Sequence, residues 1–134
     1  MNSGTPVHPT LTLTVQSEND VTVAGLTGEL DIASAPPLRE QLLQLLGPGC
    51  GRLVIDLSQV SFCDASGLAV LISTGRRARQ FGGFLRLAAV SPQVGHVLNL
   101  TGLRQHLAIF PTVQAATTTR LRPVTLSAPQ PAAL

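Results

Sequence analysis

The chain has 134 residues, the length of one domain, and 44% hydrophobic residues, enough to fill a core. Four Phe and no Trp or Tyr leave that core to Leu, Val, Ile and Ala, and offer few platforms on which bases could stack. The net charge of +2 is unevenly spread: all seven acids lie at or before Asp64 with only Arg39 and Arg52 among them, and the other seven arginines follow with no acid. Such a division suits two solvated faces or a surface that steers a charged protein, whereas scattered arginines without interleaved aromatics argue against nucleic acid.

Residues 1–10 carry Pro, Ser and Thr without periodicity and are expected to be a flexible N-terminus. Leu11, Leu13 and Val15 alternate with polar residues, the period of a half-buried strand, and Asn19-Asp20 signals a turn. Val21, Val23 and Leu26 continue as an antiparallel strand, which Gly28-Glu29-Leu30-Asp31 is expected to break. Ser34 is a candidate N-cap, with Pro36 and Pro37 in a first turn that does not need their missing N–H groups. Leu38, Leu42, Leu45 and Leu46 follow at helical spacing until Gly47-Pro48-Gly49.

Leu53 to Leu57 has the continuous apolar character of a buried strand, and Ser58 to Phe62 is expected to be a short polar loop. A second helix starts near Asp64, with Leu68, Leu71, Ile72, Gly75 and Ala78 on its inner stripe and Ser73, Arg76, Arg77 and Gln80 on the other side; Gly82-Gly83 stops it. Phe84 to Val90 is expected to be a strand. Ser91-Pro92 opens a third helix with Val94, Val97, Leu98 and Leu100 as its apolar side and Gly102 past its end. Leu107 to Phe110 gives a short last strand, followed by a turn or helix at Val113 to Ala116. Residues 117–134 are Thr/Pro/Ala-rich and are expected to be a disordered tail, which leaves 11–116 as the domain.

Alternation of strands and helices predicts an α/β domain whose parallel strands are joined by right-handed crossovers. Its strand C-termini would gather Gly28, Glu29 and Asp31 with Asp64, Ala65, Ser66 and Gly67 at one edge, where open α/β sheets place their sites. Asp64 is the expected N-cap of the second helix. Ser66, in its first turn, sits beside free N–H groups and the positive end of the dipole, a setting suited to phosphate.

Little else suggests chemistry. His8, His96 and His106 lack metal-ligand spacing, so no metal and no cofactor is expected. Cys63 adjoins Asp64, which disfavours a thiolate, and with Cys50 it makes no disulfide framework. The N-terminus has no apolar core of a signal peptide, and no apolar run reaches the roughly 18–20 residues of a membrane span, so a cytoplasmic binding module is expected and an enzyme is not.

Leu26-Thr27-Gly28-Glu29-Leu30-Asp31, Val54-Ile55-Asp56-Leu57-Ser58, Phe62-Cys63-Asp64-Ala65-Ser66-Gly67-Leu68, Gly82-Gly83, Ala88-Ala89-Val90-Ser91-Pro92 and Leu100-Thr101-Gly102-Leu103 stand in the order and spacing of a known pattern. Over roughly Leu11 to Ala116 the chain resembles the anti-sigma factor antagonist family of STAS domains. The resemblance implies a mixed sheet of about five strands with helices mostly on one face. It also implies a partner, an anti-sigma factor that is a serine kinase; binding it frees a sigma factor, phosphorylation breaks the complex, and a phosphatase restores it. The family pattern is Asp-Ser-Ser/Thr-Gly with the first serine phosphorylated, and here that position is Ala65; Ser66 is the remaining candidate. The surface expected to take the partner is the edge with Gly28, Glu29, Asp31, Asp64, Ala65, Ser66 and Gly67, together with Ser73, Arg76 and Arg77 on the exposed face of the second helix. STAS domains also serve as subunits of lipid-transport complexes that dock on an ATPase, which is the alternative role. Neither role fixes whether the molecule is a monomer or a dimer.

Overall fold

A computed structural model describes residues 4–119. One sheet holds six strands in chain order: β1 (Thr5–His8), β2 (Leu11–Glu18), β3 (Val21–Leu30), β4 (Arg52–Cys63), β5 (Phe84–Ala88) and β6 (Ala108–Phe110). The first three are antiparallel, and β3 to β6 are parallel. The crossovers contain α1 (Ala35–Gln44), α2 (Ala65–Gln80) and α3 (Pro92–Thr101), and α4 (Val113–Thr118) ends the described chain.

Local chemistry explains most of these boundaries. Asn19 and Asp20 both take left-handed φ, 54° and 63°, the requirement of a two-residue hairpin turn whose twist matches its strands. Ser91 accepts the Val94 N–H at 3.4 Å and caps α3, and Gly102 closes that helix in the left-handed region.

Several expectations are corrected. The sixth strand comes from the N-terminal segment expected to be flexible: Thr5 pairs with Leu13 and Pro6 with Thr12, at a bulge on the sheet edge where proline's missing N–H costs no ladder bond. Gly28, Glu29 and Leu30 do not break β3 but complete it. Ser58 to Phe62 is not a loop but the second half of a 12-residue β4. Two bulges against β3 let that polar stretch stay paired: Gly25 faces Asp56 but Thr27 faces Gln59, and Gly28 faces Val60 but Glu29 faces Phe62. The Asp56 carboxylate accepts the Ser58 N–H at 3.0 Å within the first of them. Strand β5 stops at Ala88 rather than Val90, since Ala89 turns to φ 52°. Leu100 is 73% exposed and lies off the apolar face of α3. Thr117 and Thr118, assigned to the tail, belong to α4; residues 120–134 lie outside the described residues.

Helices α1, α2 and α3 cover one face of the sheet. Their Leu38, Leu42, Leu68, Leu71, Val94 and Leu98 pack on Leu53, Ile55, Leu57, Leu85 and Leu87 of the central strands. α4 lies on the opposite face, over a smaller cluster of Val21, Val23, Val54 and Ala88. Arg86 is buried in that second layer at 6% exposure. Its guanidinium donates to the carbonyls of Ala116 and Thr119, both at 2.9 Å, which are C-terminal oxygens of α4. It lies 3.9 Å above the Phe84 ring and 5.0 Å from that of Phe110. Burial, and then Arg52, lower its pKa from the usual value. Arg86→Ala removes two charge-assisted bonds and leaves a gap under α4, so urea unfolding should show a loss of about 2–4 kcal/mol.

Candidate functional site

The ends of β3 and β4 meet the starts of α1 and α2, and one carboxylate joins them. Asp64 is extended (φ −124°) and caps α2: Oδ1 accepts the Gly67 N–H at 3.1 Å, while Oδ2 accepts the Ile32 N–H at 3.2 Å from the loop before α1. Its own N–H donates to the Leu30 carbonyl at 3.2 Å.

Asp31 builds the other half of this edge. Its Oδ1 accepts the N–H groups of Ala33 and Ser34, each at 3.0 Å, and so closes the turn into α1. Ser34 was expected to cap α1 with its own hydroxyl; instead its buried Oγ donates to the Glu29 carbonyl at 2.8 Å and accepts the Asp31 N–H at 3.0 Å. The Ser34 N–H, with smaller contributions from the Ala33 N–H, the Ser34 hydroxyl and His8, holds the Asp31 carboxyl below its ordinary 3.8 against an opposing effect of desolvation.

These inward bonds turn other groups out. Ile32 is 72% exposed and Phe62 43%, with Glu29 opposite Phe62 in the β3–β4 register. Ala65, the first residue of α2, is exposed, and Ser66 is half-buried beside it. Exposed Ile32 thus stands in the loop bonded to Asp64, and exposed Phe62 stands beside Glu29 at the strand ends, apolar and acidic groups of the kind that protein-binding surfaces combine. Cys63, just below, is buried, and burial and then Asp64 push its thiol up to about 12. Among the described residues, no group of His, Cys, Asp and Glu could hold a metal ion.

The residues singled out from sequence divide into three groups. Glu29, Asp31, Asp64, Ala65 and Ser66 come together at the edge. Gly28 and Gly67 are close-packing positions behind it: Gly28 has φ 119° and a Cβ there would collide with the Thr10 carbonyl, and a Cβ on Gly67 would lie 2.6 Å from the Leu30 carbonyl oxygen. Ser73, Arg76 and Arg77 lie farther down α2, roughly 10–17 Å along its axis from Ser66, in a groove shared with Arg39 of α1. Ile32 and Phe62 went unnoticed in the sequence. Their signal was there: each is a large apolar residue falling outside any helical or alternating stripe.

A model of the STAS domain family matches residues 12–116. Among curated proteins, the chain is 38% identical over 94 residues to an anti-sigma-B factor antagonist of Bacillus subtilis, covering 70% of this chain and 84% of that one. It is 32% identical over 108 residues to the anti-sigma-F factor antagonist RsfB of Mycobacterium tuberculosis, covering 81% and 88%. Among solved structures, an anti-sigma factor antagonist from Mycobacterium paratuberculosis superposes with a TM-score of 0.72 at 29% identity, covering 87% of this chain and 97% of that one.

Three measurements test this packing. Gly67→Ala should cost about 1–3 kcal/mol in urea unfolding, because the helix start must back away from Leu30. Cys50, which is exposed, should react with a thiol reagent at pH 8 in the native protein, and Cys63 only after denaturation. The raised Cys63 value also sets a direction. Its contribution to stability is complete below the ordinary 9.0 and is lost as pH rises from there through about 12, which a pH series of urea midpoints would register.

Proposed function

The chain belongs to the STAS domain family, and on that premise we propose that it is an anti-sigma factor antagonist, a binding protein that takes up an anti-sigma factor and so frees a sigma factor for transcription. The observation that carries this reading is the exposure of two large apolar side chains at the strand ends, Ile32 in the loop bonded to Asp64 and Phe62 opposite Glu29. Apolar area in water is unfavourable by about 25 cal/mol per Å², so covering it against a partner is a source of affinity, while Glu29, Asp31 and Asp64 select a partner surface of positive potential. The names of the relatives supply the kind of partner, and favour it over the ATPase of a lipid-transport complex. In this reading the partner is an anti-sigma factor of the serine-kinase type, the compartment is the cytoplasm, and the protein turns over no substrate. No helix among the described residues is long and apolar enough to cross a membrane.

The usual off switch is missing from its place. A phosphoryl acceptor at the first position of α2 would need a hydroxyl, and Ala65 has none. Ser66 is one residue on, turned by about 100° around the helix and half-buried. In-line phosphoryl transfer requires the acceptor oxygen near its attack position, so a kinase aligned on the first position does not reach the second. We therefore read this protein as an antagonist that stays bound in the presence of ATP, with no call on a phosphatase.

Calorimetric titration against each purified anti-sigma serine kinase of the source organism tests the reading. One of them should bind, and Ile32→Asp or Phe62→Asp should weaken that complex at least tenfold, about 1.4 kcal/mol. Absence of binding to all of them, or unchanged affinity in both variants, would refute it. With ATP added, mass spectrometry should find no phosphate on the wild type and phosphate on Ala65→Ser. Phosphate on Ser66 that disappears in Ser66→Ala would overturn the unswitched reading.

A further inference from the structure

The second half of the predicted surface is a site in its own right. A groove of about 440 Å³ runs between α1 and α2. Leu43, Leu46 and Phe81, all half-buried, line its floor, and the exposed Arg39, Arg76 and Arg77 stand on its rim. No acid lines it. Arg77 is held over the Phe81 ring at 5.3 Å and donates to the Gln80 side chain at 2.9 Å, an orientation fixed without a carboxylate. Compensation of helix ends does not account for this cluster. Arg77 lies in the last turn of α2, where a cation is favourable, but Arg39 lies in the middle of α1, where neither end of the dipole acts on it.

We propose that this groove docks an acidic amphipathic helix of a protein partner, its apolar stripe on Leu43, Leu46 and Phe81 and its carboxylates on Arg39, Arg76 and Arg77. Charge complementarity chooses the occupant: three cations around an apolar floor match a helix with Glu or Asp flanking Leu-sized residues. The edge at Asp64 has the opposite sign, so the two surfaces select different segments. A segment attracted to Glu29, Asp31 and Asp64 is repelled by the arginines. The groove thus provides a second, independent point of attachment, and the proposal stands or falls apart from what binds the edge.

The probe is a fluorescein-labelled amphipathic helix of about 18 residues, one helical face Leu and the other Glu, followed by fluorescence anisotropy. The wild-type protein should bind it with a submillimolar Kd at low salt and more weakly as salt rises. Arg76→Glu/Arg77→Glu and Arg39→Glu should each weaken binding at least tenfold. Arg104→Glu, the same charge change in the exposed turn Leu103–His106, should not. The same helix with Lys in place of Glu should not bind. The proposal is overturned if the acidic helix does not bind at about 1 mM, if the groove variants bind it as well as wild type, or if Arg104→Glu weakens it equally. Displacement of the helix by inorganic pyrophosphate at equal concentration would also overturn it, marking a small-anion site instead. Circular dichroism of the variants, whose substitutions are all on exposed side chains, separates loss of binding from loss of fold.

Discussion

Both oxygens of the Asp64 carboxylate are spent on backbone N–H groups, one from Gly67 and one from Ile32. The first bond fixes where α2 begins. The second fixes how far the loop before α1 stands from it. A single side chain thereby sets the spacing of two crossovers that belong to different strands. Once that spacing is set, Gly67 must pass within contact of Leu30, Ser34 must be buried to reach Glu29, and Ile32 has nowhere to go but outward. The presented surface is what remains after the inward hydrogen bonds have been made.

Much of this was legible in the sequence, and for physical reasons. Helix starts at Asp64 and Ser91 were readable because capping is local, a side chain acting on an N–H three residues ahead. The hairpin at Asn19-Asp20 was readable because only a few residues tolerate two left-handed positions. What failed was non-local. The strand character of Ser58 to Phe62 comes from a neighbour, β3, that supplies ladder partners across two bulges, and polar composition cannot announce that. Thr5 to His8 is a strand because β2 is beside it, although Pro6 argues against one. Arg86 is buried because the end of α4, some thirty residues on, arrives with unpaired carbonyls.

The division of charge along the chain takes on a spatial meaning. Glu29, Asp31 and Asp64 gather at the strand C-termini, while Arg39, Arg76 and Arg77 gather between α1 and α2. Along α2 the two groups lie roughly 10–17 Å apart. Residues on one helix share a face without sharing a site, and α2 is long enough to serve two. The exposed apolar groups, Ile32 and Phe62 at one place and the floor of the groove at the other, fall within these two charge fields.

The bulges in β4 have a consequence for how this sequence can vary. Leu57, Val60 and Cys63 are all buried on the same face, three residues apart, where a regular strand would need spacings of two. The stretch between them is therefore defined by its length more than by its letters. Substitutions at Ser58, Gln59 or Ser61 leave the phase intact. A one-residue deletion there would move Cys63 into the exposed position that Phe62 holds, and Asp64 into the buried position of Cys63, off its two N–H partners. Descendants of this chain should thus drift freely in the chemistry of that segment and hardly at all in its count.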